Sequence, residues 1–163
     1  MRFLKSFRYA FRGIVYCINN ERNMRVHTVA AFYVFVFSFF FDLTRTQYAV
    51  LFLTFALVLT AELFNTVAEE LSDLNAASFN PVVRIVKDMA SGAVLVGALF
   101  SVAVGICLFW KPAAFVRIFH YFAERPPLLA LLLASLAAAV CYAALGPIGI
   151  RDRVKRKKDK GGN

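Results

Sequence analysis

The sequence lacks the motifs on which many soluble catalytic and metal sites depend. Its three cysteines, Cys17, Cys107 and Cys141, lie far apart and form no ligand-spaced pair with the two histidines. The cysteines therefore indicate neither a disulfide framework nor a zinc site. Nothing in the chain resembles the GxxxxGK loop or the motifs of protein kinases. Phosphate binding by a Gly-rich loop is therefore excluded.

Apolar residues are abundant instead. They make up 60% of the 163 residues and form four runs separated by polar or Pro-containing breaks, 26–41, 48–67, 89–110 and 127–150. All but the first approach the roughly 20 residues that a helix needs to cross ~30 Å of hydrocarbon. Backbone groups in lipid must be paired internally, so each run is predicted to be a helix. The first run is short, and we expect it to span by local thinning of the bilayer or by use of its flanks at Arg25 and Asp42.

The segment before the first run, residues 1–25, is predicted to be an amphipathic helix at the membrane surface. On a helix, its apolar and basic residues fall on opposite sides. The apolar side carries Phe3, Phe7, Ala10, Phe11, Ile14 and Ile18, and the basic side carries Arg2, Lys5, Arg8 and Arg12. No small-residue cleavage pattern follows the first run, so we expect the segment to be retained. A soluble helix packed on a core is the less favoured alternative, because the chain offers little soluble core.

The basic residues orient the chain in the membrane. With a cytoplasmic N-terminus and four crossings, fifteen Lys and Arg residues lie on the cytoplasmic side. Only four lie outside, namely Arg45, Lys111, Arg117 and Arg125. This bias predicts cytoplasmic termini, an external connector at 111–126 and a basic cytoplasmic tail at 151–163. We interpret the net charge of +9 as attraction to anionic lipid headgroups, with no nucleic-acid partner.

The second apolar run leads into a segment with four carboxylates, "AELFNTVAEELSD" at 61–73. On a helix that starts at Tyr48 near the outer boundary, Glu62 lies roughly 21 Å down, inside the inner leaflet. A sector of about 60° presents polar side chains at helical spacing. These are Glu62, Thr66, Glu69 and Asp73, with Asn65 beside them. Glu69, Glu70 and Asp73 equally fit a solvated helix end, whereas Glu62 at membrane depth is a functional candidate.

Two further segments face the same predicted boundary. "ERNMRVH" at 21–27 precedes the first run, and "KDMASGAV" at 87–94 opens the third, where small residues permit close helix approach. In this order with "AELFNTVAEELSD", these segments resemble the prokaryotic diacylglycerol kinase family over about residues 2–110. "ERNMRVH" is more similar to the branch that phosphorylates undecaprenol.

The resemblance implies an all-α integral membrane homotrimer of three-span protomers, in which ATP and Mg²⁺ meet a lipid alcohol. Residues 1–110 would form this lipid kinase domain. Glu62 matches the family's general base, and Glu21 and Glu69 match the carboxylates that hold the metal. The implied nucleotide site comprises Arg2, Tyr9, Glu21, Asn65, Glu69, Asp73, Lys87 and Asp88. The lipid substrate is expected at Glu62, Asn23, Arg25 and Ser91.

The chain departs from the family pattern in two places. The family usually has an acidic residue near Ser78 and a histidine near Asn80, which affects the expected contacts to the adenosine end of ATP. The chain also has a fourth apolar segment at 127–150, followed by the basic tail. We interpret this segment as a membrane anchor that returns the C-terminus to the cytoplasm, in preference to a regulatory or partner-binding element.

These features together predict a lipid kinase of the bacterial plasma membrane that acts at the cytoplasmic surface. Undecaprenol is the expected acceptor, and diacylglycerol is the alternative, because both are primary alcohols on long apolar tails. A non-enzymatic cation or proton pathway is a remote alternative. In such a pathway acidic groups should lie near the midplane and recur on several spans, whereas here they crowd one boundary.

Overall fold

A computed structural model describes residues 2–74 and 80–160, with side chains for 3–74 and 80–150. Every regular element in these ranges is an α-helix, so the predicted all-α class is confirmed. The helices are α1 (Arg2–Asn20), α2 (Arg22–Ser38), α3 (Arg45–Leu74), α4 (Pro81–Phe109), α5 (Pro112–Ala123) and α6 (Pro126–Lys160). They fall into two compact units, Met1–Val29 with Arg125–Asn163, and Ala30–Glu124.

Three helices are long and apolar enough to cross a membrane. They are Arg45–Leu74, Pro81–Phe109 and the first part of α6, Pro126–Ile150, and they correspond to the second, third and fourth apolar runs. α2 has only 17 residues, which at about 1.5 Å per residue is shorter than the hydrocarbon core. Crossing of the membrane by the first run therefore stays a prediction. The other three helices support a multi-pass membrane protein.

The N-terminal segment is two helices rather than one continuous helix through residue 25. α1 ends at Asn20, whose side-chain amide donates to the carbonyl of Tyr16 (2.9 Å), and Glu21 separates it from α2. Asparagine favours helix ends because its side chain competes for backbone groups. The apolar side of α1 is exposed, including Phe3, Phe7 and Phe11, as expected for a helix at a membrane surface.

α3 and α4 begin earlier than their apolar runs suggest, because side chains cap their N-termini. Thr44 and Gln47 form a reciprocal pair, in which each backbone N–H donates to the other's side chain (2.9 and 3.3 Å). α4 starts at Pro81, eight residues before the apolar run at 89–110. Asn80 is its N-cap, with its side-chain oxygen accepting from the N–H of Val82 (2.9 Å).

α3 and α4 pack against each other along most of their length, and this contact dominates the second unit. Ser91 on α4 donates to Asn65 on α3, and further along Lys87 pairs with Asp73. Towards the other end, a Cβ at Gly97 would lie 3.9 Å from a Val58 methyl carbon. The helices are therefore antiparallel. Gly92, predicted to allow close approach, has no such neighbour within 4 Å among the described residues.

The predicted external connector contains a helix of its own, α5. Lys111 just before it donates to the carbonyl of Phe41 (2.7 Å), and Arg117 pairs with Asp42 and donates to the carbonyl of Phe40. Aromatic rings add to this contact, with Phe41 against Phe109 and Phe115, and Phe40 against Tyr121. α5 therefore packs against the α2–α3 connection, at the end of α3 opposite the carboxylates.

α6 is interrupted near residue 146. Gly146 has φ of +67°, a left-handed conformation, and Pro147 follows it. The proline cannot donate a backbone hydrogen bond, so the helix bends at this point. Beyond the bend the backbone continues as helix into the basic tail, to Lys160.

Candidate functional site

The protein-facing side of α3 changes from apolar to polar along its length. Leu51 and Val58 are buried first, and after them the buried residues are Glu62, Asn65, Thr66 and Ser72. Spacings of three and four residues keep them on one side of the helix. Glu62 has 0% of its surface exposed, and no larger side chain among the described residues is as fully buried. The structure thus places the predicted general base inside the protein, at the point where the polar part begins.

Asn65 links the predicted ligands on two helices. Its amide nitrogen donates to Glu69 one turn along α3 (2.8 Å), and its oxygen accepts from the hydroxyl of Ser91 on α4 (3.2 Å). The first bond orients the half-buried Glu69 carboxylate, and the second fixes Asn65 against α4. A predicted nucleotide residue, a predicted metal ligand and a predicted lipid contact therefore lie together.

Charged pairs lie beyond Asn65 and Ser91, towards the C-terminal end of α3 and the N-terminal end of α4. Lys87 of α4 forms an ion pair with Asp73 of α3 that joins the helices. Asp88 lies 4.0 Å from Arg84 within α4, and both side chains are about three-quarters exposed. The Lys87 pair brings together two of the predicted nucleotide residues. Asp88 forms its contact with a residue that was not predicted to take part.

The donor set of this surface fits magnesium through Glu69. Among the described side chains, those of residues 3–74 and 80–150, no three His, Cys, Asp or Glu lie close enough to hold a metal by themselves. Mg²⁺ does not require such a cage, since it commonly binds through one or two carboxylates together with substrate phosphates and water. Glu69 is an oriented oxygen donor of this type.

The remaining predicted site residues belong to the other compact unit. Glu21 is half-buried at the α1–α2 break, Asn23 is exposed, and Arg25 is buried against backbone carbonyls. Tyr9 is 62% exposed, with the guanidinium of Arg12 at 5.8 Å from its ring centre. The side chain of Arg2 lies outside the described side chains, so its role stays a prediction.

Of the two positions that differ from the usual family residues, Asn80 and Ser78, the structure describes only Asn80. Asn80 caps α4, so it has a structural task where the family usually has a histidine. Ser78 lies outside the described residues.

Further buried polar residues could be predicted only in part from the sequence. Thr66 lies on the predicted polar face, and its hydroxyl donates to the carbonyl of Glu62 (3.0 Å). Ser72 is also buried, and helical spacing from Glu62 and Asn65 could have identified it. Ser38 on α2 is fully buried and donates to the carbonyl of Phe35 (2.6 Å), a local contact that no motif indicates.

Comparisons with known proteins find relatives of this chain among lipid kinases. The family model for prokaryotic diacylglycerol kinase matches residues 8–109. A diacylglycerol kinase of Synechocystis sp. is 41% identical over 110 residues, covering 67% of this chain and 63% of that protein. An undecaprenol kinase of Bacillus subtilis is 36% identical over 108 residues, covering 66% of this chain and 88% of that protein. The matched region thus spans less than two thirds of the Synechocystis relative.

The resemblance inferred from the three motif segments is therefore confirmed. The match includes α2, α3 and α4 in full, together with most of α1, and ends where α4 ends. α5 and α6 lie beyond it. Because the family model covers more than half of the 163 residues, this chain belongs to the prokaryotic diacylglycerol kinase family.

Proposed function

We propose that this protein is a lipid kinase, which transfers a phosphoryl group from ATP to a lipid alcohol at the cytoplasmic surface of the bacterial plasma membrane. The observation that carries the proposal is the increase in polarity along one side of α3. A fully buried carboxylate, Glu62, is followed on the same side by Asn65 and Glu69 and then by the ion pair of Asp73 with Lys87. The membrane-embedded end suits a lipid hydroxyl, and the polar end suits phosphate and metal.

Phosphoryl transfer depends mainly on positioning and on neutralising negative charge. Glu62 would accept the proton of the lipid hydroxyl, as a general base close to the apolar layer. Glu69, oriented by Asn65, would hold Mg²⁺, and Glu21 is its predicted companion. Bound Mg²⁺ would neutralise charge on the phosphate oxygens. Lys87 would contact a phosphate once its ion pair with Asp73 opens. Its ammonium group would act as a point charge, without the bidentate geometry of an arginine.

The contribution of Lys87 can be separated from general surface charge. We expect Lys87→Met to raise the KM for ATP roughly tenfold or more, because a charge-assisted contact to phosphate is lost. Arg84→Met is the matched control, since it removes one positive charge from the same helix, one turn earlier, at a side chain that is three-quarters exposed. Its KM should stay near that of the parent. Equal KM changes in both variants would contradict a specific role for Lys87.

Undecaprenol is the acceptor that we favour, because "ERNMRVH" is closer to that branch of the family. Diacylglycerol is the second candidate, and it is favoured by the higher identity to the Synechocystis relative, a diacylglycerol kinase. Purified protein with ATP and Mg²⁺ should be given each lipid in turn, with phosphorylated product measured directly. We expect a higher kcat/KM for undecaprenol. A higher kcat/KM for diacylglycerol would make diacylglycerol the favoured acceptor. The absence of phosphorylated product with both lipids would contradict the kinase assignment.

We further propose a homotrimer, as the family resemblance implies, with both termini in the cytoplasm, as the distribution of Lys and Arg residues predicts. Most large apolar residues of α4 are exposed in the single chain, including Leu95, Leu99 and Phe100, and are available to lipid or to other subunits.

The described spanning helices offer little support for a cation pathway. α4 carries no acidic residue beyond Asp88, and residues 126–150 of α6 carry none.

A further inference from the structure

Arg25 is buried among backbone carbonyls of two helices. Only 6% of its surface is exposed. Its Nε donates to the carbonyl of Ala143 on α6 (3.2 Å), and its Nη1 donates to the carbonyls of Ile18 and Asn19 on α1 (3.1 Å each). A single guanidinium therefore joins the α1–α2 junction to α6 within one compact unit.

All three carbonyls lie where a helix cannot supply a donor. Ile18 and Asn19 are in the last turn of α1, whose carbonyls have no intrahelical partner. The carbonyl of Ala143 would normally accept from the N–H of residue 147, but that residue is proline. Both helix segments also present the negative ends of their dipoles to the same positive charge. Arg25 thus supplies both the missing donors and the complementary charge.

Gly146 leaves the space that this contact requires. A Cβ at this position would lie 3.0 Å from both Cζ and Nη1 of Arg25. The backbone φ of +67° is also one that residues with a side chain rarely adopt. The Gly146–Pro147 pair therefore has two functions, since it opens the helix to expose the Ala143 carbonyl and makes room for the guanidinium.

We propose that Arg25 is a positioning residue that fastens α6 to the motif segment "ERNMRVH", rather than a contact to the lipid substrate. On this proposal α6 is more than a membrane anchor. It supports the α1–α2 junction, where Glu21 is the predicted metal carboxylate, four residues before Arg25. The structural part of this proposal rests on the contacts alone, and its catalytic part rests on the proposed kinase function.

The contact can be tested without any activity measurement, through Cys17. This residue is 1% exposed at the end of α1, whereas Tyr16 beside it is 47% exposed. In a Cys107→Ser, Cys141→Ser background, Cys17 should react slowly with a maleimide. Gly146→Ala should raise that rate by about tenfold or more, because the added Cβ displaces Arg25. Gly149→Ala on the same helix, where a Cβ would meet only Leu145 at an ordinary 3.6 Å, should behave like the parent.

Arg25→Lys is the second variant, since lysine keeps the charge but cannot form the same fork of donors. It should raise Cys17 labelling in the same direction as Gly146→Ala. Far-ultraviolet circular dichroism and size-exclusion elution like the parent's would show that both variants remain folded. If Cys17 stays protected in both, the structural proposal is wrong.

Kinetics of the same variants test the catalytic part. If Arg25 positions the Glu21 segment, both variants should raise the KM for Mg·ATP by roughly threefold to tenfold, while the KM for lipid is unchanged. An increase in the lipid KM alone, without Cys17 labelling, would restore Arg25 as a substrate contact. A lower kcat with every KM unchanged would limit α6 to a structural role and overturn the positioning proposal. A parent protein that phosphorylates neither lipid would refute the kinase function, while the Cys17 result would still decide the structural contact.

Discussion

Replacing Glu62 with glutamine should abolish phosphoryl transfer to the lipid, while binding of ATP largely persists. Glutamine keeps the size of the side chain and can still form hydrogen bonds, but it cannot take a proton from the hydroxyl. General base catalysis commonly contributes about 10²-fold to 10⁴-fold to a rate. Glu62 is fully buried on the polar side of α3, so we expect the loss to lie at the upper end of that range.

The measurement is lipid phosphorylation by purified protein, with ATP binding measured separately by calorimetry. Glu70→Gln is the matched control, because it makes the same change on the same helix at an exposed position outside the polar face. That variant should turn over normally. Near-normal turnover of the Glu62→Gln protein would remove Glu62 from its role as base, and a joint loss of ATP binding and activity would indicate a structural role instead.

Hydrophobic runs predicted most of the helices, because spanning length and backbone pairing leave few alternatives in lipid. The helix ends were less predictable from hydropathy. α3 and α4 begin at polar positions, where Thr44 with Gln47 and Asn80 satisfy the first N–H groups. These local capping patterns were present in the sequence and could have corrected the boundaries. The break at Glu21 was missed because the predicted helix was extended to residue 25, beyond Ile18, where the amphipathic pattern ends.

The candidate site was predictable to the extent that it lies on one helix. Helical spacing placed Glu62, Asn65 and Glu69 on a common side of α3, and the structure agrees. The bond from Ser91 to Asn65 could not be derived in that way, since it depends on the register between α3 and α4. Family resemblance selected these residues in advance, whereas the geometry shows which of them touch.

The contact of Arg25 with α6 lay beyond sequence reasoning for a different reason. The two bonded residues are 118 positions apart, and α6 lies outside the region that resembles the family. The local signal was the "GP" dipeptide at 146–147, which marks an interrupted helix and an unpaired carbonyl. A sequence can show that such a carbonyl needs a donor, but only the fold identifies Arg25 as that donor.

Replacing Glu69 with alanine should raise the magnesium concentration needed for half-maximal activity by about tenfold or more and weaken nucleotide binding. The carboxylate is held by the amide of Asn65, and it is the oriented acidic group nearest to Glu62 along the polar side of α3. Glu69→Gln separates charge from geometry, because an amide oxygen can still accept from Asn65. We expect it to share the magnesium defect, since a neutral oxygen binds Mg²⁺ far more weakly than a carboxylate does.

Glu70→Ala is the control for this pair, since it removes the neighbouring carboxylate, which is exposed. Its magnesium titration should superimpose on that of the parent. Glu21→Ala should shift the titration in the same direction as Glu69→Ala if both carboxylates hold the metal, as the family resemblance implies. If the titrations of the Glu69 and Glu21 variants both superimpose on the parent, the two-carboxylate metal site is wrong. If only the Glu69 variants shift, Glu69 alone supplies the protein ligand, and phosphate and water must complete the coordination of Mg²⁺.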